Sequence, residues 1–226
     1  MARAARRILV VAILLIAAIL LLEAWRRPSS ILAEPGEEEG VAAELLTRPP
    51  PAWVDGLGDR AEAAGADPCL AAALLMVEGA DHSRLETTVE RSVVAAGRYI
   101  GFLHGYDLSL GDAQMKVSTA AWVASGFQDA QPIDALDDAT WRRTTDALLG
   151  DGGRDLFLSY LGYLQKRRDV GISCCRPKGP TAADYVVLGT EYNAGVSSPG
   201  SSPGSAYGRL TSAVATHPDL RERLCR

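Results

Sequence analysis

The chain has 226 residues, 47% of them apolar and 23% charged, a globular composition with room for one domain and accessory segments. Its formal net charge is −5, and outside residues 1–27 there are 18 basic against 27 acidic residues, a net of −9. So acidic a body argues against a nucleic-acid partner, which would require a basic face, but not against a neutral glycan.

The N-terminus carries Arg3, Arg6 and Arg7, then fifteen apolar residues, Ile8–Leu22, without a charge. A basic start followed by an apolar run is the pattern of a signal anchor or a signal peptide. Glu23, Trp25, Arg26 and Arg27 crowd the place where a small-x-small cleavage site would stand, so residues 1–27 read as an uncleaved membrane anchor, with residues 8–25 in the bilayer and cleavage as the alternative. Residues 28–51 follow as a linker holding Pro28, Pro35, Glu37–Glu39 and Pro49–Pro51, expected to be extended. The folded domain is expected over residues 52–226.

Within that domain the signals are helical. Asp67 before Pro68 is an N-cap followed by proline at the first helical position, for a helix ending near Gly79. Ser83 and Glu86 form a capping box for a helix to about Leu103. Further helices are expected over Asp112–Ser125, closed by Gly126, over Leu136–Leu149 and over Arg154–Arg168, the last two separated by Gly150–Gly153. Thr181 and Asp184 begin another, running to about Asn193 with Gly195 as its stop. Residues 196–205 read as a loop, and one or two helices cover Ala206–Leu224. No alternating strand of useful length is present, so the fold class is mainly α.

Cys69, Cys174, Cys175 and Cys225 all lie beyond the anchor, and an even count in an exported domain points to disulfides. Three connectivities exist. Adjacent Cys174 and Cys175 are poorly disposed to join each other, so the expectation is two long bridges, from Cys69 and Cys225 to that pair.

Leu70, Leu74 and Glu78 are spaced by four and share a helix face, so a carboxylate continues an apolar stripe at the end of its helix. Apolar surroundings, the negative helix terminus and nearby Asp81 would favour the protonated form, as a general acid for glycosidic cleavage requires. The competing reading is an exposed terminal glutamate or one paired with Arg84. Two distant stretches add to it: Gly111-Asp112-Ala113-Gln114-Met115, continuing to Thr119-Ala120, and Glu191-Tyr192-Asn193-Ala194-Gly195.

In order and type these three segments resemble the motifs of the lytic transglycosylase family, in the lysozyme-like superfamily that includes the goose-type enzymes. There a helix ends in the catalytic glutamate, a Gly-x-x-Gln segment follows, and an Ala-Tyr-Asn-Ala-Gly helix end comes third. The resemblance covers roughly Pro68–Gly195. It implies a lysozyme-like helical domain in which Glu78 is acid and then base. Gln114 and Met115 line the cleft, Tyr192 orients or hydrogen-bonds the Glu78 carboxyl, Asn193 positions sugar, and Gly111 lets the backbone approach the glycan. The implied substrate is the peptidoglycan strand, cleaved between N-acetylmuramic acid and N-acetylglucosamine, with no cofactor. The implied location is the extracytoplasmic side of a bacterial membrane.

The chain departs from the pattern at Gly79, where the family has serine, and at Glu191, where it has alanine; 36 residues separate Glu78 from Gln114. Gly79 and Glu191 leave open a non-catalytic wall-binding or scaffold protein on the same fold; a third possibility is an assembly factor within a secretion or division complex, opening the wall locally with cell-envelope partners. Asp107 and Asp112 keep open a two-carboxylate muramidase, although Asp112 also reads as a helix N-cap. Metal chemistry has little support: His82, His104 and His217 lack ligand spacing.

Overall fold

The structure, a computed structural model, describes residues 35–47, 56–81, 92, 94, 107–128, 130–175, 179–194 and 205–225. The apolar run Ile8–Leu22 lies outside these residues, and among the described ones no helix is long and apolar enough to cross a membrane. The expected helix from Ser83 to Leu103 also falls outside them, apart from Ser92 and Val94, both helical.

The described residues are mainly helical, as expected. In chain order they form α1 (Glu38–Thr47), α2 (Leu57–Ala63), α3 (Pro68–Asp81), a hairpin of β1 (Ser109–Leu110) and β2 (Met115–Lys116), α4 (Val117–Ala124) and a 3-10 turn (Ile133–Ala135). Then come α5 (Asp138–Leu149), α6 (Gly152–Arg168), α7 (Ala182–Ala194), α8 (Ala206–Thr216) and α9 (Pro218–Leu224).

α3 is the centre of the packing. Cys69–Val77 is buried throughout, so the helix is covered on every side rather than along one stripe. Its start is the one read from sequence: Asp67 Oδ1 accepts the Leu70 amide at 2.8 Å, with Pro68 in the first turn. Asp67 is itself fully buried, accepts the Tyr185 hydroxyl at 3.0 Å, and through its own amide donates to Gln165 Oε1 at 2.7 Å. Burial pushes its carboxyl above the usual carboxylate range, against hydrogen bonds that pull it down. This one cap therefore joins the start of α3 to α6 and α7.

α7 and α8 lie against each other at close range. A Cβ on Gly208 would stand 2.2 Å from Thr190 Oγ1 and 2.3 Å from the Val186 carbonyl, so only glycine permits the approach. The start of α7 is the expected box, with the Thr181 amide donating to Asp184 Oδ2 at 2.8 Å and the Asp184 amide to Thr181 Oγ1 at 3.3 Å.

Two expectations are corrected. Part of the 28–51 linker is not extended: α1 buries Ala42, Leu45 and Leu46, packs on α8, and pairs Glu38 with Arg209 at 2.6 Å. The acidic run is a helix start, with Glu38 and Glu39 in the favourable first turn, and the apolar stripe behind it offsets the cost of ordering.

The helix expected over Asp112–Ser125 begins only at Val117, preceded by an antiparallel hairpin in which Ser109 faces Lys116 and Leu110 faces Met115. Gly111 has φ +75°, and a Cβ there would lie 2.3 Å from the Leu148 carbonyl, so the chain must turn at this point. The cap of α4 is supplied by Asp107, whose Oδ1 accepts the Ser118 amide at 2.8 Å and whose Oδ2 accepts the Ser118 hydroxyl at 2.7 Å. Gly126, at φ +73°, follows α4 as read.

The bridges are Cys69–Cys174 and Cys175–Cys225, with Cα separations of 6.0 and 5.4 Å, one from each distant cysteine to the adjacent pair.

Candidate active-site cleft

A cleft with about 600 Å³ of empty space out to its open mouth lies between the end of α3, the hairpin with α4, the middle of α6 and the end of α7. α3 contributes Glu78 in its last turn, half-buried where the apolar stripe of Leu70 and Leu74 runs out. The hairpin and α4 contribute Ser109, Gln114, Met115, Lys116 and Thr119; α6 contributes Tyr160, and α7 Tyr192 and Asn193. Residues from three separated segments, Glu78, Gln114, Met115, Tyr192 and Asn193, thus meet at one place, with Asn193 exposed at the rim.

Glu78 Oε1 accepts the Tyr207 hydroxyl at 2.6 Å. Tyr207 sits in the first turn of α8, which Ser205 caps by accepting the Gly208 amide at 3.1 Å. Burial, and then the charge of Glu78, hold the Tyr207 hydroxyl well above the ordinary tyrosine range. The same two causes in the same order act on Tyr192, and burial pushes Tyr160 up to about 12. The tyrosines around the carboxyl are therefore neutral donors across any physiological pH.

Tyr192 corrects one expectation. Its hydroxyl donates to the Ala113 carbonyl, not to Glu78, and its ring packs against Phe157 and Tyr160 at centroid distances of 5.6 and 5.9 Å. Tyr192 thus ties the end of α7 to the hairpin turn, while the hydroxyl on Glu78 comes from Tyr207. Nothing in a Ser205-Ala206-Tyr207-Gly208 helix start marks the tyrosine in sequence. The usable signal is the glycine, which lets α8 close on α7 and carries its neighbour inward.

Gln114 lines the cleft with φ +47°, and its Nε2 donates to the Gly111 carbonyl at 2.8 Å, closing the hairpin turn. Gly111 and Asp112 do not line this cleft. They border a second cavity with Leu148–Asp151, and the close approach that Gly111 permits is to the backbone of α5.

Asp112 does not cap α4. It meets Arg154 at 3.1 Å, and Asp107 is engaged with Ser118, so Glu78 is the only carboxylate among the described residues lining the cleft.

Glu191, the departure from the family pattern, joins Arg168 in a direct hydrogen-bonded ion pair, and its Oε2 lies 2.9 Å from Arg167 Nη2. The two arginines outweigh burial and hold its carboxyl below the usual range. The residue clamps the end of α7, and with it Tyr192 and Asn193, to the end of α6.

His217 is occupied as a cap, its Nδ1 accepting the Asp219 amide at 3.3 Å; His82 and His104 lie outside the described residues. The two close cysteine-containing groups, around Cys174–Cys225 and around Asp67–Cys69, have their sulfurs in disulfides. Compared with protein-family models, with curated proteins and with solved structures, the chain gives no match.

Proposed function

We propose that the chain is a peptidoglycan lytic transglycosylase on a lysozyme-like helical fold, cleaving the β-1,4 bond between N-acetylmuramic acid and N-acetylglucosamine with Glu78 as its acid and base. The observation that carries the reading is the convergence of Glu78, Gln114, Met115, Tyr192 and Asn193 on one cleft. Three segments that resemble the family's motifs in sequence have no reason to meet if each is an ordinary helix start, core tyrosine or C-cap.

In this reading the Glu78 carboxyl gives its proton to the glycosidic oxygen as the C1–O bond breaks. The substrate's own N-acetyl group can assist, and its 6-hydroxyl closes on C1 while the Glu78 carboxylate takes the hydroxyl proton. The product is a 1,6-anhydro end, no water is consumed, and Glu78 returns to its acid form. The single carboxylate among the described lining residues favours this intramolecular route over the two-carboxylate hydrolysis of a muramidase. Residues 1–27 would anchor the enzyme in the cytoplasmic membrane with the domain facing the wall.

The test is clearance of purified sacculi with product analysis by mass spectrometry. Wild-type protein is expected to lower turbidity and release anhydro-muropeptides; Glu78→Gln, folded by circular dichroism, should do neither. Reducing ends instead of anhydro ends would assign a hydrolase. Binding to sacculi without any soluble product from the wild type would assign a non-catalytic wall-binding protein.

A further inference from the structure

The hairpin wall of the cleft carries a cation that the cleavage reaction does not use. Lys116 is half-buried, lines the cleft that holds Glu78, and has no ion-pair partner among the described residues. The antiparallel register places Ser109 directly opposite it, and Ser109 lines the same cleft. Side chains of a directly opposed pair leave the same face with Cβ atoms about 4.5–5.5 Å apart, so Lys116 and Ser109 leave the hairpin toward the same cleft. The neighbouring pair, Leu110 and Met115, leaves the opposite face of the hairpin, where it is buried and fixes the hairpin to the core.

A lysine in such a position needs a reason. The chain beyond residue 27 has a net charge of −9, and the cleft already contains a carboxylate. Both repel an acidic ligand, and neither helps a neutral sugar. An ammonium with three donors beside a hydroxyl with one is instead a complement for a carboxylate, and its charge offsets the repulsion where the ligand enters.

We propose that Lys116 and Ser109 form a subsite for a carboxylate carried by a substituent of the glycan, and so make the protein selective for an acidic glycan over a neutral one of the same backbone. The inference rests on the reading of the cleft as a glycan site and adds the charge of the substrate. The carboxylate can belong to the ether substituent on the sugar or to a peptide attached there; both present the same group to Lys116.

The experiment uses the full-length protein in detergent. Four substrates are compared: glycan strands stripped of peptide, bearing free ether carboxylates; the same strands with those carboxylates amidated; and peptide-bearing strands with and without amidation. Initial cleavage rates are read for wild type, Lys116→Met and Lys116→Arg, and strand affinities for the same three on a Glu78→Gln background.

Wild type should favour the acidic over the amidated form about tenfold in one of the two substrate pairs, and that pair identifies the source of the carboxylate. Lys116→Met should bring the ratio to about one, and Lys116→Arg should keep most of it. A wild-type ratio near one in both pairs, or a ratio that survives Lys116→Met, overturns the proposal. If no strand is cleaved, the reading of the enzyme fails by itself, and the affinity ratios still decide whether Lys116 selects the acidic ligand.

Discussion

The Tyr207 hydroxyl reaches Glu78 Oε1 over 2.6 Å from a buried position in the first turn of α8, and it stays protonated across the physiological pH range. A hydrogen bond to a charged group contributes about 1.5–3 kcal/mol, enough to fix one rotamer of the carboxyl against the alternatives. Tyr207→Phe keeps the ring, and so the packing of α8, but removes this hydrogen bond from the carboxyl. Misplacing an acid by about 1 Å can cost on the order of a hundredfold in rate, so kcat should fall about 10- to 100-fold with KM nearly unchanged and an unaltered circular dichroism spectrum. A raised KM with normal kcat would mean that the hydroxyl holds sugar and does not orient Glu78. Glu78, Gln114, Met115, Tyr192 and Asn193 were legible in the sequence because each sits in a short pattern with its own spacing. Tyr207 was not, because its meaning arises only when Gly208 brings α8 against α7. Lys116 and Tyr160 were hidden for a similar reason: a hairpin register and a helix face, neither marked locally, turn them into the cleft.

Between elements, the contact that matters most for the cleft is the clamp of Glu191 on Arg167 and Arg168, since Tyr192 and Asn193 are the next two residues of α7. The Glu191 side chain is 16% exposed, so its pairing is screened less than that of a surface bridge. Glu191→Gln should lower stability by about 1 kcal/mol near neutral pH. The sign with pH follows from its depressed carboxyl: the contribution is fully present above the unfolded value, 4.5, and is lost as pH falls through the lower folded value. Urea denaturation of both proteins at pH 7 and at pH 3 measures it. The two should differ at pH 7 and converge at the lower pH; a constant gap would make the loss one of packing rather than charge. Helix boundaries were readable wherever a cap was local, as at Asp67–Pro68 and Thr181–Asp184. The boundary at α4 was not, because its cap, Asp107, stands eleven residues before Ser118 across a hairpin. α1 was missed because a run of glutamates beside prolines reads as solvent-facing until a surface exists for Ala42, Leu45 and Leu46 to cover.

Over the whole molecule, two bridges fix the order in which the structure can come apart. Cys69–Cys174 closes a separation of 105 residues and Cys175–Cys225 one of 50, which in the chain-entropy view limits the unfolded state by about 4.8 and about 4.1 kcal/mol. Their access differs far more than these figures. Cys69 is fully buried and Cys174 nearly so, beside the Asp67 cap at the start of the helix that carries Glu78; Cys175 and Cys225 are exposed at the end of α9. Thiol exchange requires a thiolate to reach a sulfur, so exposure sets the order. Mild reductant should open Cys175–Cys225 first, loosening α9 while the cleft survives. Cys69–Cys174 should open only with stronger reduction or heat, and the loss of near-UV circular dichroism and of sacculus clearance should coincide with that second step. Alkylation of newly freed thiols followed by peptide mass spectrometry reads the order directly. Simultaneous labelling of all four cysteines, or labelling of Cys69 before Cys225, would mean that the core around α3 opens as readily as the chain end, and that Asp67, Tyr185 and Gln165 do not hold it shut.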